Sequence, residues 1–167
     1  MKNIQIVFEH STGWAERCIQ WFTQSEVDHV AVLYDSDDWD VPWRAEAATK
    51  GVRAVPNNPE RKWKYVFDVK YDAKADVQAA QKYIGESYDF AGFFLFAWIL
   101  LLWRLLKVKV RRPLHPTKGQ FCSEFVANVL KPKVSEITNP QWTTPEDLLE
   151  ICQVRVDLFK ENSDACS

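Results

Sequence analysis

Cys122 has both the residue type and the position for covalent chemistry. It lies in the first turn of a helix predicted over 121–130, which the chain enters through Thr117-Lys118-Gly119-Gln120. Backbone N–H groups at a helix start lack partners within the helix, and together with the helix dipole they favour a thiolate there. Cys122 is therefore a candidate nucleophile. The alternative interpretation is that it is a small buried side chain that serves only packing.

His29 and Glu46 are the candidate partners of that thiol, because a nucleophilic cysteine needs a base and a polar group that orients the base. His29 lies in an apolar, β-branched strand predicted over 27–34, where an imidazole is unusual unless it contacts a polar group. Glu46 stands among alanines, and an adjacent antiparallel strand could direct its carboxylate at His29. His29 could instead be a hydrogen-bonded residue of the core. Glu46 could instead pair with Arg44 or Arg53.

Two other histidines compete for the role of base. His10 follows the end of a predicted strand and could reach the rim of a site, but its segment is equally a polar cap. His115 lies between two prolines in a predicted surface loop and is the weaker candidate.

Four segments follow one another in an order that is typical of one enzyme group. They are Asp28-His29-Val30-Ala31-Val32, Glu46-Ala47 with Gly51-Val52, Ser87-Tyr88-Asp89, and Phe121-Cys122-Ser123-Glu124-Phe125-Val126. Over residues 3–158 the sequence resembles the circularly permuted NlpC-like papain-fold family, in its YiiX/YaeF branch, which is related to lecithin retinol acyltransferase. Ordinary papain-like enzymes place the cysteine helix before the histidine strand, whereas here His29 and Glu46 precede Cys122.

The resemblance implies a fold, a mechanism and a set of site residues. The implied fold class is α+β, a permuted papain-like fold whose central antiparallel sheet packs against helices. Cys122 would be the nucleophile, His29 the base and Glu46 the orienting group of a cysteine peptidase, amidase or other acyl-transfer enzyme that needs no metal or cofactor. Substrate contacts are expected at Tyr88, Ser11 and Trp14, and the loop 11–14 could supply an oxyanion donor beside the Cys122 N–H.

The elements that must position these residues follow from hydrophobic periodicity and from turn residues. Strands dominate the first half and helices the second. A helix over 14–23 is expected to turn Trp14, Cys18, Trp21 and Phe22 toward the core. Thr144-Pro145-Glu146-Asp147 has the residues of a capped helix start. The strands 43–48 and 52–55 are expected to join at a turn through Thr49-Lys50-Gly51. The predicted strands are 4–9 (half-buried), 27–34, 43–48, 52–55, 63–71 and a closing strand through Val154, Val156 and Leu158. The other predicted helices begin at 72–73, 90 and 121, and 107–112 is a strand or loop.

Length and composition limit the classes of function. The 167 residues carry a net charge of −2 and are 47% hydrophobic, which predicts a single domain over 1–167 with a substantial core. A near-neutral chain has no overall basic excess for nucleic acid, so we expect no nucleic-acid partner. The four cysteines are widely spaced and predict neither a zinc site nor a disulfide framework. The N-terminal residues do not form a signal peptide, which predicts a cytoplasmic location.

The run from Phe90 to Trp103 contains no charged residue. It is shorter than the ~20 apolar residues that span a bilayer, so a buried or interfacial helix is the better prediction. Continued to Leu106 and followed by basic residues up to Arg112, this helix could contact lipid, an acyl substrate or a second copy of the chain. The main hypothesis is thus a thiol hydrolase acting on a peptide, an N-acyl compound or a lipid. Two alternatives are a non-catalytic lipid or membrane-surface binder and an oligomer without chemistry.

Overall fold

The computed structural model is an α+β structure built around a six-stranded antiparallel sheet. It describes residues 4–10, 20–21, 25–35, 42–72, 74–89, 98, 102 and 119–163. The order of the strands across the sheet is β4-β3-β2-β1-β5-β8, and β6 and β7 form a separate parallel pair. The strands are β1 (Ile4–Glu9), β2 (His29–Tyr34), β3 (Trp43–Ala48), β4 (Gly51–Pro56), β5 (Tyr65–Val69), β6 (Ser87–Tyr88), β7 (Gly119–Gln120) and β8 (Phe159–Glu161).

Three α-helices are described over their full length. They are α1 (Lys74–Gln81), α2 (Cys122–Leu130) and α3 (Pro145–Val154), with a short 3-10 helix at Pro140–Trp142. Every residue of α2 except Asn128 is buried, because α2 packs on the sheet through Phe125 and Val126. The predicted capped start of α3 is confirmed. Thr144 Oγ1 accepts the Asp147 N–H at 3.0 Å, and Asp147 accepts the Thr144 N–H at 2.8 Å.

The sheet carries apolar residues on both faces, so β1 is more deeply buried than its alternating sequence predicts. Ile6 and Phe8 belong to the main core, which α2 covers. Val7 points the other way into a second cluster and is fully buried. The members of the second cluster are Val7, Ala31, Leu33, Trp63 and Val66. The expected solvated face of β1 is therefore wrong at Val7, because Trp63 and its neighbours cover it.

The hairpin of β3 and β4 contacts the segment that leads to β6, and the contact is at Gly51. The predicted turn through Thr49 and Lys50 is confirmed, with Ala48 paired to Gly51. Gly51 has φ +101°, and a Cβ added there would overlap the carbonyl oxygen of Glu86. That carbonyl accepts the N–H of Val52 at 2.9 Å. Gly51 thus allows the segment leading to β6 to hydrogen-bond to the edge of the sheet.

Two other sequence predictions are wrong in the described residues. The closing strand does not include Val154 and Val156, which are 68% and 66% exposed. The capped helix α3 continues to Val154, and the strand begins only at Phe159, whose buried ring anchors β8 beside β5. Trp21 is 48% exposed, so it does not belong to a core-facing stripe.

Other predictions lie outside the described residues. These are the positions of Ser11, Trp14, Cys18, Phe22 and His115, the segment 107–112, and the run from Phe90 to Leu106 except Trp98 and Leu102. Trp98 and Leu102 are both helical, and Trp98 is 57% exposed. None of the helices in the described residues is long and apolar enough to cross a membrane.

Candidate active site

Cys122 is the first residue of α2 and is 9% exposed. The preceding residue, Phe121, is the N-cap, with extended backbone at φ −102° and ψ 169°. A phenylalanine side chain cannot accept a hydrogen bond, and no side-chain cap bond forms there. Cys122 therefore lies at the positive end of the helix dipole, and the N-cap side chain does not accept a hydrogen bond from the first-turn N–H groups.

His29 connects Cys122 to the sheet. It is the first residue of β2, and its side chain is 15% exposed. Its Nε2 atom lies 2.9 Å from Oε2 of Glu46, and the ring also hydrogen-bonds the Cys122 thiol. Because Nε2 is engaged by Glu46, Nδ1 is the ring nitrogen left to face Cys122.

The protonation of His29 follows from these two partners. Burial by itself would lower the pKa of His29, since an imidazolium is poorly solvated in the interior. The hydrogen bonds to Cys122 and Glu46 outweigh burial and raise the pKa to about 9. At neutral pH the ring is accordingly an imidazolium that donates from both nitrogens.

Glu46 is the buried anion of the site, with its side chain 1% exposed. Its Oε1 accepts from Arg53 at 2.7 Å and from Arg44 at 3.2 Å, in addition to the His29 bond at Oε2. Burial would raise the pKa of this carboxyl group, but His29 and the arginines hold it far below its ordinary value. The alternative pairings with Arg44 and Arg53 are therefore present together with the His29 contact, and they keep the orienting carboxylate ionised.

Arg61 and Glu9 extend this network, and the sequence analysis missed both. Arg61 donates to both oxygens of Glu9, at 3.1 Å from Nε, and its Nη1 lies 3.4 Å from Oε2 of Glu46. Its guanidinium also stacks 4.8 Å from the ring centre of Trp63. Glu9 is paired directly opposite His29 in the β1/β2 ladder. The sequence shows an acidic residue at the end of β1, but only the strand register shows that His29 lies opposite it.

Tyr88, for which the resemblance implies a substrate contact, is close enough to Cys122 to interact with it electrostatically. It ends β6, next to Gln120 of β7, which leads directly into α2. Burial and the nearby charges of Cys122 and Asp89 raise the pKa of the Tyr88 hydroxyl well above its ordinary value. The hydroxyl is thus a neutral hydrogen-bonding group near the thiol.

His10, the competing base, is engaged elsewhere. Its Nδ1 lies 2.8 Å from the carbonyl oxygen of Glu26. The contact fixes the ring against the segment that precedes β2. Among the described histidines it is thus His29 that contacts the candidate nucleophile.

The fold is similar to that of a crystal structure described as the metalloprotein YiiX from Escherichia coli O157:H7, DUF1105. The TM-score is 0.53 at 19% sequence identity, and the similarity covers 98% of this chain and 89% of that chain. No protein-family model matches the sequence, and no curated protein is significantly similar to it. The likeness at this identity establishes a shared fold.

YiiX is described as a metalloprotein, but the described residues of this chain do not provide a set of metal ligands. No three His, Cys, Asp or Glu side chains are grouped there so that they could hold a metal ion. Both oxygens of Glu46 already accept hydrogen bonds from cationic side chains, and His29 is held as an imidazolium. A metal ligand must be a thiolate, a neutral imidazole or an available carboxylate, and Glu46 does not offer a free oxygen, so the described residues do not fit a metal centre.

Proposed function

We propose that the chain is a thiol hydrolase of the circularly permuted NlpC-like papain-fold family, acting on an amide or ester through a Cys122-His29-Glu46 triad. The observation that carries the proposal is the double hydrogen bonding of the His29 ring, to the Cys122 thiol and to the buried Glu46 carboxylate. A packing role alone does not account for a buried imidazolium held between a thiol and a carboxylate. The YiiX-like fold and the order His29, Glu46, Cys122 support the family.

Acyl transfer would begin with Cys122 as the thiolate and His29 as the imidazolium. The Cys122 sulfur forms a bond to the carbonyl carbon, and the negative charge moves to the carbonyl oxygen. As the C–N or C–O bond breaks, the imidazolium gives its proton to the departing amine or alcohol. The products of this half-reaction are a thioester on Cys122 and a neutral His29.

Water would complete the cycle. Neutral His29 removes a proton from water while the water oxygen attacks the thioester carbon, and the C–S bond then breaks. The carboxylic acid leaves, and the thiolate and imidazolium pair is restored. Throughout both halves, Glu46 accepts the Nε2–H of His29, so that Nδ1 keeps facing Cys122.

Oxyanion stabilisation would come from the start of α2. The Cys122 N–H and the positive end of the helix dipole would stabilise the charge that develops on the carbonyl oxygen. Tyr88 could supply a further hydroxyl contact to the substrate. The substrate would be a peptide, an N-acyl compound or a lipid ester, in keeping with the resemblance.

Site-resolved alkylation and turnover test the proposal together. Iodoacetamide should label Cys122 of the native protein far faster than Cys152, which is 1% exposed and whose thiol has its pKa raised by burial. Against a panel of N-acyl amides, dipeptides and p-nitrophenyl esters, Cys122→Ala should lower turnover by roughly 10³-fold or more. Cys152→Ala is the matched control and should retain activity. Equal labelling of Cys18, or full turnover by Cys122→Ala, contradicts the assignment.

The exposed Trp98 favours a second candidate, a non-catalytic protein that binds lipid surfaces through the run from Phe90 to Leu106. Trp98 is helical and 57% exposed, and a tryptophan in such a setting suits the interface of a membrane. In flotation assays the chain should then associate with vesicles containing anionic lipid, less at high salt, and Trp98→Ala should weaken association. Trp21→Ala is the control at a second exposed tryptophan. Absence of salt-sensitive flotation rejects this candidate.

A further inference from the structure

Glu124 is buried two residues after Cys122, in the first turn of α2. It is 5% exposed, and its carboxyl group accepts the backbone N–H of Phe121. Counting from the N-cap Phe121, Glu124 is the third helical residue, the position whose side chain closes a capping box. α2 therefore carries one half of a capping box, the half that fixes the N–H of the N-cap residue.

The start of α3 supplies the comparison. In α3, Thr144 and Asp147 form both halves of the box, so the Asp147 N–H is occupied by the N-cap hydroxyl. In α2 the corresponding hydroxyl is missing because residue 121 is phenylalanine. A serine or threonine there would place an acceptor on the first-turn N–H groups and reduce the positive potential at Cys122.

We infer that Glu124 is a positioning residue for Cys122, holding the start of α2 in place while leaving its first-turn N–H groups to the thiolate and the oxyanion. The inference rests on the proposed function. It explains why a carboxyl group is buried at this point next to two other acids. A normal N-cap would secure the helix at lower desolvation cost but would occupy the groups that the reaction needs.

The role requires an acceptor oxygen and not a charge. The acidic groups that act on Glu124 are Asp89 and Glu86, and with burial they raise the pKa of Glu124 to about 7. Glu124 is therefore partly protonated at neutral pH. A neutral carboxyl still accepts the Phe121 N–H through its carbonyl oxygen, and so would the amide of glutamine.

The test is the rate at which iodoacetamide alkylates Cys122, measured by peptide mass spectrometry from pH 5 to 9. Glu124→Leu keeps the volume but removes the acceptor, and we expect the rate at pH 7 to fall about fivefold or more. Glu124→Gln keeps the acceptor, and its rate should stay within about twofold of the native rate at pH 7.

Asp147→Leu in α3 is the matched control, since it removes the same helix-start acceptor away from Cys122 and should leave the alkylation rate unchanged. A native rate in Glu124→Leu overturns the inference, as does a fall in Glu124→Gln equal to that in Glu124→Leu.

If Glu124→Leu does not fold, amide hydrogen exchange of native Phe121 decides. Protection supports the inference, and exchange at the unprotected rate overturns it. If native Cys122 itself lacks selective reactivity, the proposed function fails instead.

Discussion

At the scale of single residues, the site depends on Glu46 more than on any other side chain. Its carboxylate is bonded to His29, Arg44, Arg53 and Arg61, which come from three strands and one loop. One buried anion thus holds a histidine and three guanidinium groups in a fixed arrangement. From the sequence alone the pairings of Glu46 with His29 and with the arginines are alternatives, because a sequence does not show how many partners one carboxylate contacts. The two oxygens are in fact shared among all of them.

Glu46→Gln should lower the pKa of His29 from about 9, because only the contact with Cys122 then opposes the effect of burial. The stabilisation that His29 gains from its raised pKa is complete below about pH 6.5 and is lost as the pH rises through 9. That of Glu46, whose pKa is lowered, is present above about pH 4.5 and is lost on acidification. Between these limits both are present in the native protein, so the variant should lose about 3 kcal/mol or more near neutral pH. NMR titration of the His29 ring and urea unfolding at pH 7 measure the two effects.

Glu9→Gln is the control for that substitution. Glu9 also pairs with Arg61, but it is 20% exposed and does not contact the His29 ring through any described hydrogen bond. Glu9→Gln should therefore lower the free energy of unfolding by less than Glu46→Gln does, and it should leave the pKa of His29 unchanged. An unchanged pKa of about 9 in Glu46→Gln would contradict the role of Glu46 as the orienting group.

At the scale of elements, local sequence patterns predicted most of what is observed. The extent of β1, the Gly turn between β3 and β4, and the start of the helix that carries Cys122 were all predicted from neighbouring residues and are confirmed. The end of α3 was predicted wrongly. Val154, Arg155 and Val156 alternate as a strand does, but a helix that starts with a complete capping box and Pro145 continues through Val154. The strand pattern is the same whether the valines are buried or exposed, so the pattern by itself cannot distinguish the two.

Gly51→Ala tests how the hairpin positions the segment that carries Tyr88. The substitution imposes a strained φ of +101° and overlaps the carbonyl oxygen of Glu86. We expect a loss of about 2 to 4 kcal/mol in the free energy of unfolding, since strain and displacement of backbone add. Slower alkylation of Cys122 should accompany it, because the shifted segment leads to Tyr88 beside the thiol.

Gly85→Ala provides a matched comparison by urea unfolding. Gly85 has φ +93°, but a Cβ there would have nothing within 4 Å. Its substitution should cost only about 1 kcal/mol, from backbone strain alone. Equal losses in the two variants would show that the close approach of Glu86 is unimportant.

At the scale of the whole molecule, the site joins parts of the chain that are far apart in sequence. β2 and β3 are neighbours in the sheet, which brings His29 near Glu46, and α2 packs across both strands from the second half of the chain. β1 lies on the other side of β2 and places Glu9 opposite His29. The two-faced burial of the sheet keeps the Glu46 carboxylate at its centre away from water, whereas the His29 side chain remains 15% exposed.

The sequence by itself determined the chemical types at the site and the local elements that carry them. Cys122 at a helix start, His29 in an apolar strand and Glu46 among alanines follow from composition over a few residues, because propensities, caps and turns act over that range. Tertiary structure alone decided that Arg61 and Glu9 join the network, that Glu46 satisfies His29 and the arginines together, and that Glu124 secures the start of α2. These contacts depend on strand register and on the packing of α2, and in both a shift of one residue would point the side chains elsewhere.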